Sequence, residues 1–251
     1  MRKLIFNADD YGLSPGVSAG IRDAHAGVVH STTVMANLVE PGDVAALAAS
    51  GMSAGVHLNL SCGPPLSTGY PASLLKPDGS FDKALALDPG TWEEGNHRAA
   101  VVAEWSAQLD RLASLGLTVD HVDSHHHTHM IDSLFPLALD FAVHHGLALR
   151  TRTDQRPVAA KAGVATPAGF VESYFGNNNV SRAWLLAVLG GTTGDVVEVM
   201  CHPGRVDDGL TRLSGYRSER ETELYVLSDK GLAAELEVLG WDVADYRVLR
   251  G

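Results

Sequence analysis

The chain reads as one α/β domain built on a parallel sheet, and three observations predict it. Short β-rich runs alternate with helical stretches along its length; several of those runs stay apolar until their last residues; and the polar residues able to do chemistry gather at the runs' C-terminal ends. Alternating strand and helix makes a parallel sheet with helices outside, and unbroken apolarity suits strands covered on both faces. The C-terminal edge of such a sheet is where sites assemble, in barrels and open α/β folds alike. At 251 residues and 45% apolar composition the chain can bury a large core, and no linker, repeat or low-complexity tract divides it, so residues 1–251 are expected to form a single domain.

In order, the expected strands are LIFNA (4–8), TTVMANLV (32–39), GVHLNL (55–60), TVDHVDSH (118–125), LALRTR (147–152) and DVVEVMCH (195–202). The first helix, 15–27, starts with Ser14 as a cap and Pro15 at the first helical position, where a missing N–H costs nothing. Val101, Trp105, Leu109 and Leu112 recur at helical spacing within 94–115. Further helices are expected over 130–146 and 217–240, the latter broken near Ser228–Gly231. Residues 61–93 carry Pro, Gly and Ser throughout and read as a long irregular excursion; loops of that length in compact domains are usually lids or binding loops, so a substrate-covering segment is expected there.

Composition excludes several classes. A net charge of −11 argues against nucleic acid and an anionic membrane surface as partners, because both need a basic face. Cys62 and Cys201 lie far apart and form no C-x-x-C pair, which fits a reducing compartment. The N-terminus turns polar at Asn7, too early for a signal peptide, and no apolar run reaches membrane-spanning length. The expectation is a cytoplasmic protein. P-loop, G-x-G-x-x-G and H-E-x-x-H motifs are all missing, which argues against nucleotide and dinucleotide binders and zincin proteases.

The densest chemistry is HVDSHHHTHM (121–130), with five of the twelve histidines. In an extended strand His121, Asp123 and His125 share one face, offering two imidazoles around a carboxylate. Imidazole nitrogens bind divalent transition metals, and a carboxylate commonly orients the ring through its other nitrogen. If the chain stays extended, His125 with His127, or His127 with His129, could ligate instead, and parity alone does not choose. Asp9 and Asp10 close an apolar strand; pointing in different directions, one can bind a metal while the other serves as a base. His57 in GVHLNL and His202 in EVMCHPG sit near strand ends, as do Arg150 and Arg152, which could orient a carboxylate. Tyr11, Tyr70, Trp92 and Tyr174 are candidates for stacking on a sugar, with packing the favoured reading.

Taken together, NADDYGLSPGVSAGI (7–21), GVHLNL (55–60), HVDSHHHTHM (121–130), EVMCHPG (198–204) and SGYRSERETELYVL (214–227) resemble, in order and spacing, the YdjC-like carbohydrate deacetylases, of which the chito-oligosaccharide deacetylases are the best known. The resemblance spans nearly the whole chain. It implies a distorted (β/α) barrel of the glycoside hydrolase/deacetylase type with fewer than eight strands. It implies a divalent metal, Mg2+ in the family, held by Asp10, His57 and His125, with Asp9 as catalytic base and His202 in the substrate pocket as an acid. His121, Asp123, His127, His129, Arg150 and Tyr11 would then surround the ligands or line the pocket. Two imidazoles and a carboxylate are softer than the oxygen shell magnesium prefers, so Zn2+ or another transition metal is chemically the better match. A homodimer also follows from the resemblance.

The resulting expectation is a metal-dependent hydrolase that removes acetyl from an N-acetylated sugar. Two rival readings are a metal-dependent phosphoesterase or other amidohydrolase, since histidine–carboxylate barrels host many reactions, and a metal- or sugar-binding protein without turnover.

Overall fold

The computed structural model describes residues 1–93, 96–176 and 178–250. Among them, seven parallel strands follow one another in the order β5-β4-β3-β2-β1-β7-β6: β1 (Arg2–Tyr11), β2 (Ser31–Val34), β3 (Ser53–Leu58), β4 (His121–Ser124), β5 (Ala148–Leu149), β6 (Gly169–Val171) and β7 (Val196–Cys201). A short β8 (Trp241–Ala244) pairs with the first half of β1, on the edge that β2 occupies further along. The path therefore has fewer strands than an eightfold barrel.

The sheet is curled, and side-chain contacts prove it. Arg150 follows β5, four strands from β1; in a flat sheet those strands would stand about 19 Å apart, at 4.7–4.9 Å per step. Yet the Arg150 guanidinium lies 2.7 Å from Asp9 on β1 and 2.6 Å from Glu198 on β7. Only a barrel interior closes that distance.

Helices pack outside. α1 (Pro15–Ala24) begins as its sequence dictates, with the Ser14 hydroxyl accepting from the Val17 N–H at 3.3 Å and Pro15 opening the helix. It also lies close against the turn that follows β7: a Cβ on Gly20 would come within 2.6 Å of the Gly204 backbone. α2 (Pro41–Ser50) precedes β3. α4 (His97–Ser114) buries Val101, Trp105 and Leu112 as the periodicity predicts. The same helix also buries Glu104 and Gln108: Glu104 accepts from the backbone N–H groups of Leu66 and Ser67, and Gln108 from that of Asn59. These bonds pin the start of the 61–93 segment, which is irregular apart from α3 (Lys83–Leu87) and two 3-10 turns.

α5 (Phe135–His145), α6 (Arg156–Lys161), α7 (Arg182–Gly191) and α8 (Asp208–Leu213) follow, then α9 (Ser218–Leu227) and α10 (Gly231–Val238), which part at the expected break. No helix among the described residues is long and apolar enough to cross a membrane.

Two departures from the sequence expectation matter. β5 pairs only over Ala148–Leu149 rather than six residues; Arg150, just past it, still donates its backbone N–H to Val122 of β4 while its side chain enters the barrel. The histidine run also does not stay extended: after β4 it closes into a 3-10 turn, His125–Met130, in which His126 and His127 both take left-handed backbone angles (φ 55° and 54°). Left-handed φ costs a non-glycine residue about 1–2 kcal/mol, so the surroundings must hold that turn.

Candidate active site

The site begins with a bulge. In a regular strand Asp9 and Asp10 would face opposite sides of the sheet, but the β1–β2 register shifts between Ala8 and Tyr11 and Asp10 has φ 74°. A bulge of this kind re-aims side chains. Here both carboxylates turn inward, to different partners.

Asp10 meets the imidazoles. Its Oδ1 lies 2.8 Å from His125 Nδ1 and 3.3 Å from His57 Nε2, and its Oδ2 accepts from Arg220 of α9 at 2.5 Å. The three potential ligand atoms lie within 4.8 Å of one another. Asp10 Oδ1 is buried and makes no hydrogen bond despite those neighbours. A buried carboxylate oxygen without a donor is costly unless something else fills the position, and a divalent cation would. The donor set suits one: two imidazoles and a carboxylate, with His57 Nδ1 donating at 2.6 Å to Asp123, the carboxylate–histidine arrangement that fixes a ligating ring.

Asp9 meets a cation of the protein's own. Arg150 grips it through both oxygens at 2.7 Å, and also holds Asp123 at 2.8 Å and Glu198 at 2.6 Å. Asn7 donates to Asp9 at 3.2 Å, His121 faces Asn7 Oδ1 at 3.0 Å, and Tyr246 donates to Glu198 at 2.6 Å while stacking on His121. Gly55 makes room for that ring, since a Cβ there would lie 2.6 Å from His121.

Burial sets the protonation states. Desolvation pushes the Asp9 carboxyl up to about 7 against the pull of Arg150. Burial would raise Asp10 as well, but His125 and Arg220 hold it well below the usual carboxylate range. His57 is raised to about 10: burial opposes its charge, and Asp123 and Asp10 outweigh burial. His202 is pushed well below its ordinary value by burial and is neutral near pH 7.

A pocket of about 490 Å³ opens over Asp9, Asp10, His57 and His125. Its walls include His127, His202 and Arg220, with Lys83 reaching in from the 61–93 segment. His127 Nδ1 and His202 Nδ1 are buried without a partner. The remaining expected residues separate clearly. His129 turns away, bonded to Ser124 and the Arg150 carbonyl, while Asp123 and His121 lie beneath the pocket. Tyr11 is outside it: its hydroxyl donates to the Asp43 carbonyl and accepts from Arg22. Arg152 is a surface residue paired with Asp132 and Asp154. Tyr70, Trp92 and Tyr174 are packed in the core.

Sequence reasoning missed Arg220, Glu198, Glu223, Phe175, Tyr216 and Lys83. A signal existed for two of them: Arg220, Glu223 and Leu227 recur at helical spacing on the buried face of α9, where charges need a reason to be.

Known proteins resemble the chain over nearly its whole length. A family model described as YdjC-like protein matches residues 3–238. The chain is 35% identical over 249 residues to a carbohydrate deacetylase of Geobacillus stearothermophilus (98% of this chain, 97% of the relative). It is 38% identical over 254 residues to a carbohydrate deacetylase of Vibrio parahaemolyticus (98% and 96%). Among solved structures, a protein of Enterococcus faecalis V583 assigned to cellobiose-phosphate cleavage superposes with a TM-score of 0.85 at 30% identity, covering 99% of this chain and 98% of that one.

Proposed function

The chain belongs to the YdjC-like family, and from that premise we propose that it is a metal-dependent carbohydrate deacetylase, hydrolysing the acetamide of an N-acetylated, chito-oligosaccharide-like sugar to acetate and a free amine. The observation that carries the reading is the orphaned Asp10 Oδ1 between His57 and His125 beside a second, separately held carboxylate, Asp9. A pure binding site has no use for that second acid.

Asp10, His57 and His125 would hold a divalent transition metal. When bound, such an ion polarises the acetamide carbonyl and favours ionisation of an attacking water. Asp9 takes the proton of that water; burial, by raising its pKa toward neutrality, makes it a better base than an ordinary carboxylate, and Arg150 fixes its direction. Arg220 keeps Asp10 ionised and oriented. The departing nitrogen must be protonated, and the proton that Asp9 has taken is the nearest supply. His202, neutral in the free pocket, hydrogen-bonds the substrate through a nitrogen that has no protein partner. The 61–93 segment covers the substrate, and Lys83 lining the pocket supports that role. The free thiols Cys62 and Cys201 support a cytoplasmic setting.

The test is acetate release from N-acetylglucosamine oligomers with a panel of divalent metals, beside phosphate release from phosphomonoesters as the rival activity. Asp10→Ala should lose metal binding and activity together. Asp9→Asn should keep metal, by calorimetry, and lose about 10²–10⁴-fold in kcat, the usual worth of a general base. Because the base must be ionised, kcat/KM should fall as pH drops, with its acid limb at or below about pH 7. Equal metal loss in both variants refutes the division of labour.

A further inference from the structure

Phe175 is the anomaly of the pocket wall. It is 46% exposed, an apolar ring among imidazoles and charges. One of its faces is taken: Phe175 and Tyr216 stack with centroids 4.3 Å apart and planes 11° apart. The exposure therefore belongs to the opposite face and the rim. The backing ring is tethered. The Tyr216 hydroxyl donates to Glu223 at 2.6 Å and accepts from the Gly176 N–H at 3.3 Å, while its carbonyl accepts from Arg220 at 3.1 Å. The other oxygen of Glu223 accepts from the His202 N–H at 2.5 Å. His202 stands edge-on to both rings, 5.4 and 5.7 Å from their centroids. The two rings thus form a slab held by the residues that flank Asp10, with a wall of imidazole at its side.

Core packing does not account for a half-exposed ring so firmly backed, and Tyr11, Tyr70, Trp92 and Tyr174 are all buried and unable to take the part. We propose that the outer face of Phe175 is a carbohydrate subsite, on which the apolar C–H face of a pyranose neighbouring the N-acetylated unit lies flat. The inference rests on the sugar-deacetylase reading and adds to it the side chain that holds the neighbouring sugar. An aromatic face carries negative charge density that attracts C–H groups, and a pre-stacked ring gives up little conformational freedom when it binds. Phe175 stacks with Tyr216 and abuts His202, and its ring carries no group able to donate, accept or transfer a proton, so its contribution is to holding the substrate rather than to the chemical step.

The experiment compares Phe175→Ala and Phe175→Trp with the wild type on N-acetylglucosamine and its disaccharide. Phe175→Ala should raise KM for the disaccharide about tenfold, the loss of one good aromatic contact, with little change in kcat and little change in KM for the monosaccharide; Phe175→Trp should restore it. Independently of turnover, a double variant carrying Asp9→Asn and Phe175→Trp should show saturable quenching of the added indole's fluorescence by the disaccharide. An unchanged disaccharide KM in Phe175→Ala, with the wild type active, overturns the subsite, as does an indole signal blind to sugar. Should the wild type release no acetate while the indole signal still saturates, the subsite stands and the deacetylase reading falls.

Discussion

Two carboxylate clusters sit side by side in the barrel mouth, built from the same residue types and sharing His57. Asp10–His57–His125 and Asp9–His57–Asp123 each bring three ligand-type atoms within 4.8 Å. They are opposite in state. Around Asp9 the protein supplies its own cation: Arg150 touches Asp9, Asp123 and Glu198, and Asn7 and Tyr246 fill further positions. Around Asp10 one buried oxygen is left without a donor, and a pocket gives access to it. Ligand-type side chains at ligand-type distances do not by themselves make a metal site; an unfilled donor position with a way in does. Two consecutive aspartates, separated by one bulge, thereby acquire different roles.

The sharpest way to break this contrast is to remove the guanidinium. Arg150→Ala strands three buried carboxylates and should destabilise the fold by about 3–5 kcal/mol, the usual result of removing one partner from a buried ion pair, read by urea denaturation at neutral pH. Asp10→Asn, which removes the charge of one buried carboxylate but keeps an oxygen for Arg220 to donate to, should cost clearly less. If the two variants lose the same stability, Arg150 is not the counter-ion of a self-satisfied network. A smaller effect is expected from the ion itself. A transition metal at a hundred times its Kd should stabilise the protein by about 2.7 kcal/mol, a shift abolished by a chelator and by Asp10→Ala. The sign of its pH dependence follows from His57, whose pKa is raised to about 10 and whose proton must leave before Nε2 can ligate. Affinity should therefore rise with pH across the neutral range, and a shift that weakens as pH rises contradicts the ligand set.

Much of this arrangement was legible in the residues, for physical reasons that differ from part to part. Strand-and-helix alternation gave the parallel sheet because burial on both faces forces apolar runs, and the edge rule then put Asp9, Asp10, His57, Arg150 and His202 at one end. Ser14–Pro15 marked a helix start because capping is local. The same kind of signal, Pro41 at a first helical position and Gly51 in the left-handed region after the last, marks α2 and was overlooked. β6 is GFV and β8 is WDVA, and neither sits in a longer β-rich run like those that revealed the similarly short β2 and β4. The histidine run was beyond parity arguments because His126 and His127 take left-handed angles that nothing local to imidazole demands. His126 is held there from outside, between Ser61 and Lys83 at 2.8 Å each. Arg220 and Glu198 escaped for a similar reason: their partners lie 210 and 48 residues away, and pairing at that range is a property of the folded barrel.

The smallest effect probes how far the two clusters are independent. Tyr246, just beyond β8, donates to Glu198 and stacks on His121 with centroids 3.8 Å apart, so the C-terminal segment reaches Asp9 through Glu198 and Arg150. Tyr246→Phe keeps the stack and deletes one hydrogen bond to a charged acceptor, worth about 1.5 kcal/mol at the lower end of such bonds. Both Arg150 bonds to Asp9 remain, so acetate release should fall far less than in Asp9→Asn, while the metal-induced stabilisation should not change. A variant that kept its stability but lost the metal shift would mean that Asp10 takes its geometry from the Arg150 network after all. The bulge at Asp10 argues otherwise: it turns the ligand out of that network toward His125 and Arg220, which Tyr246 does not touch.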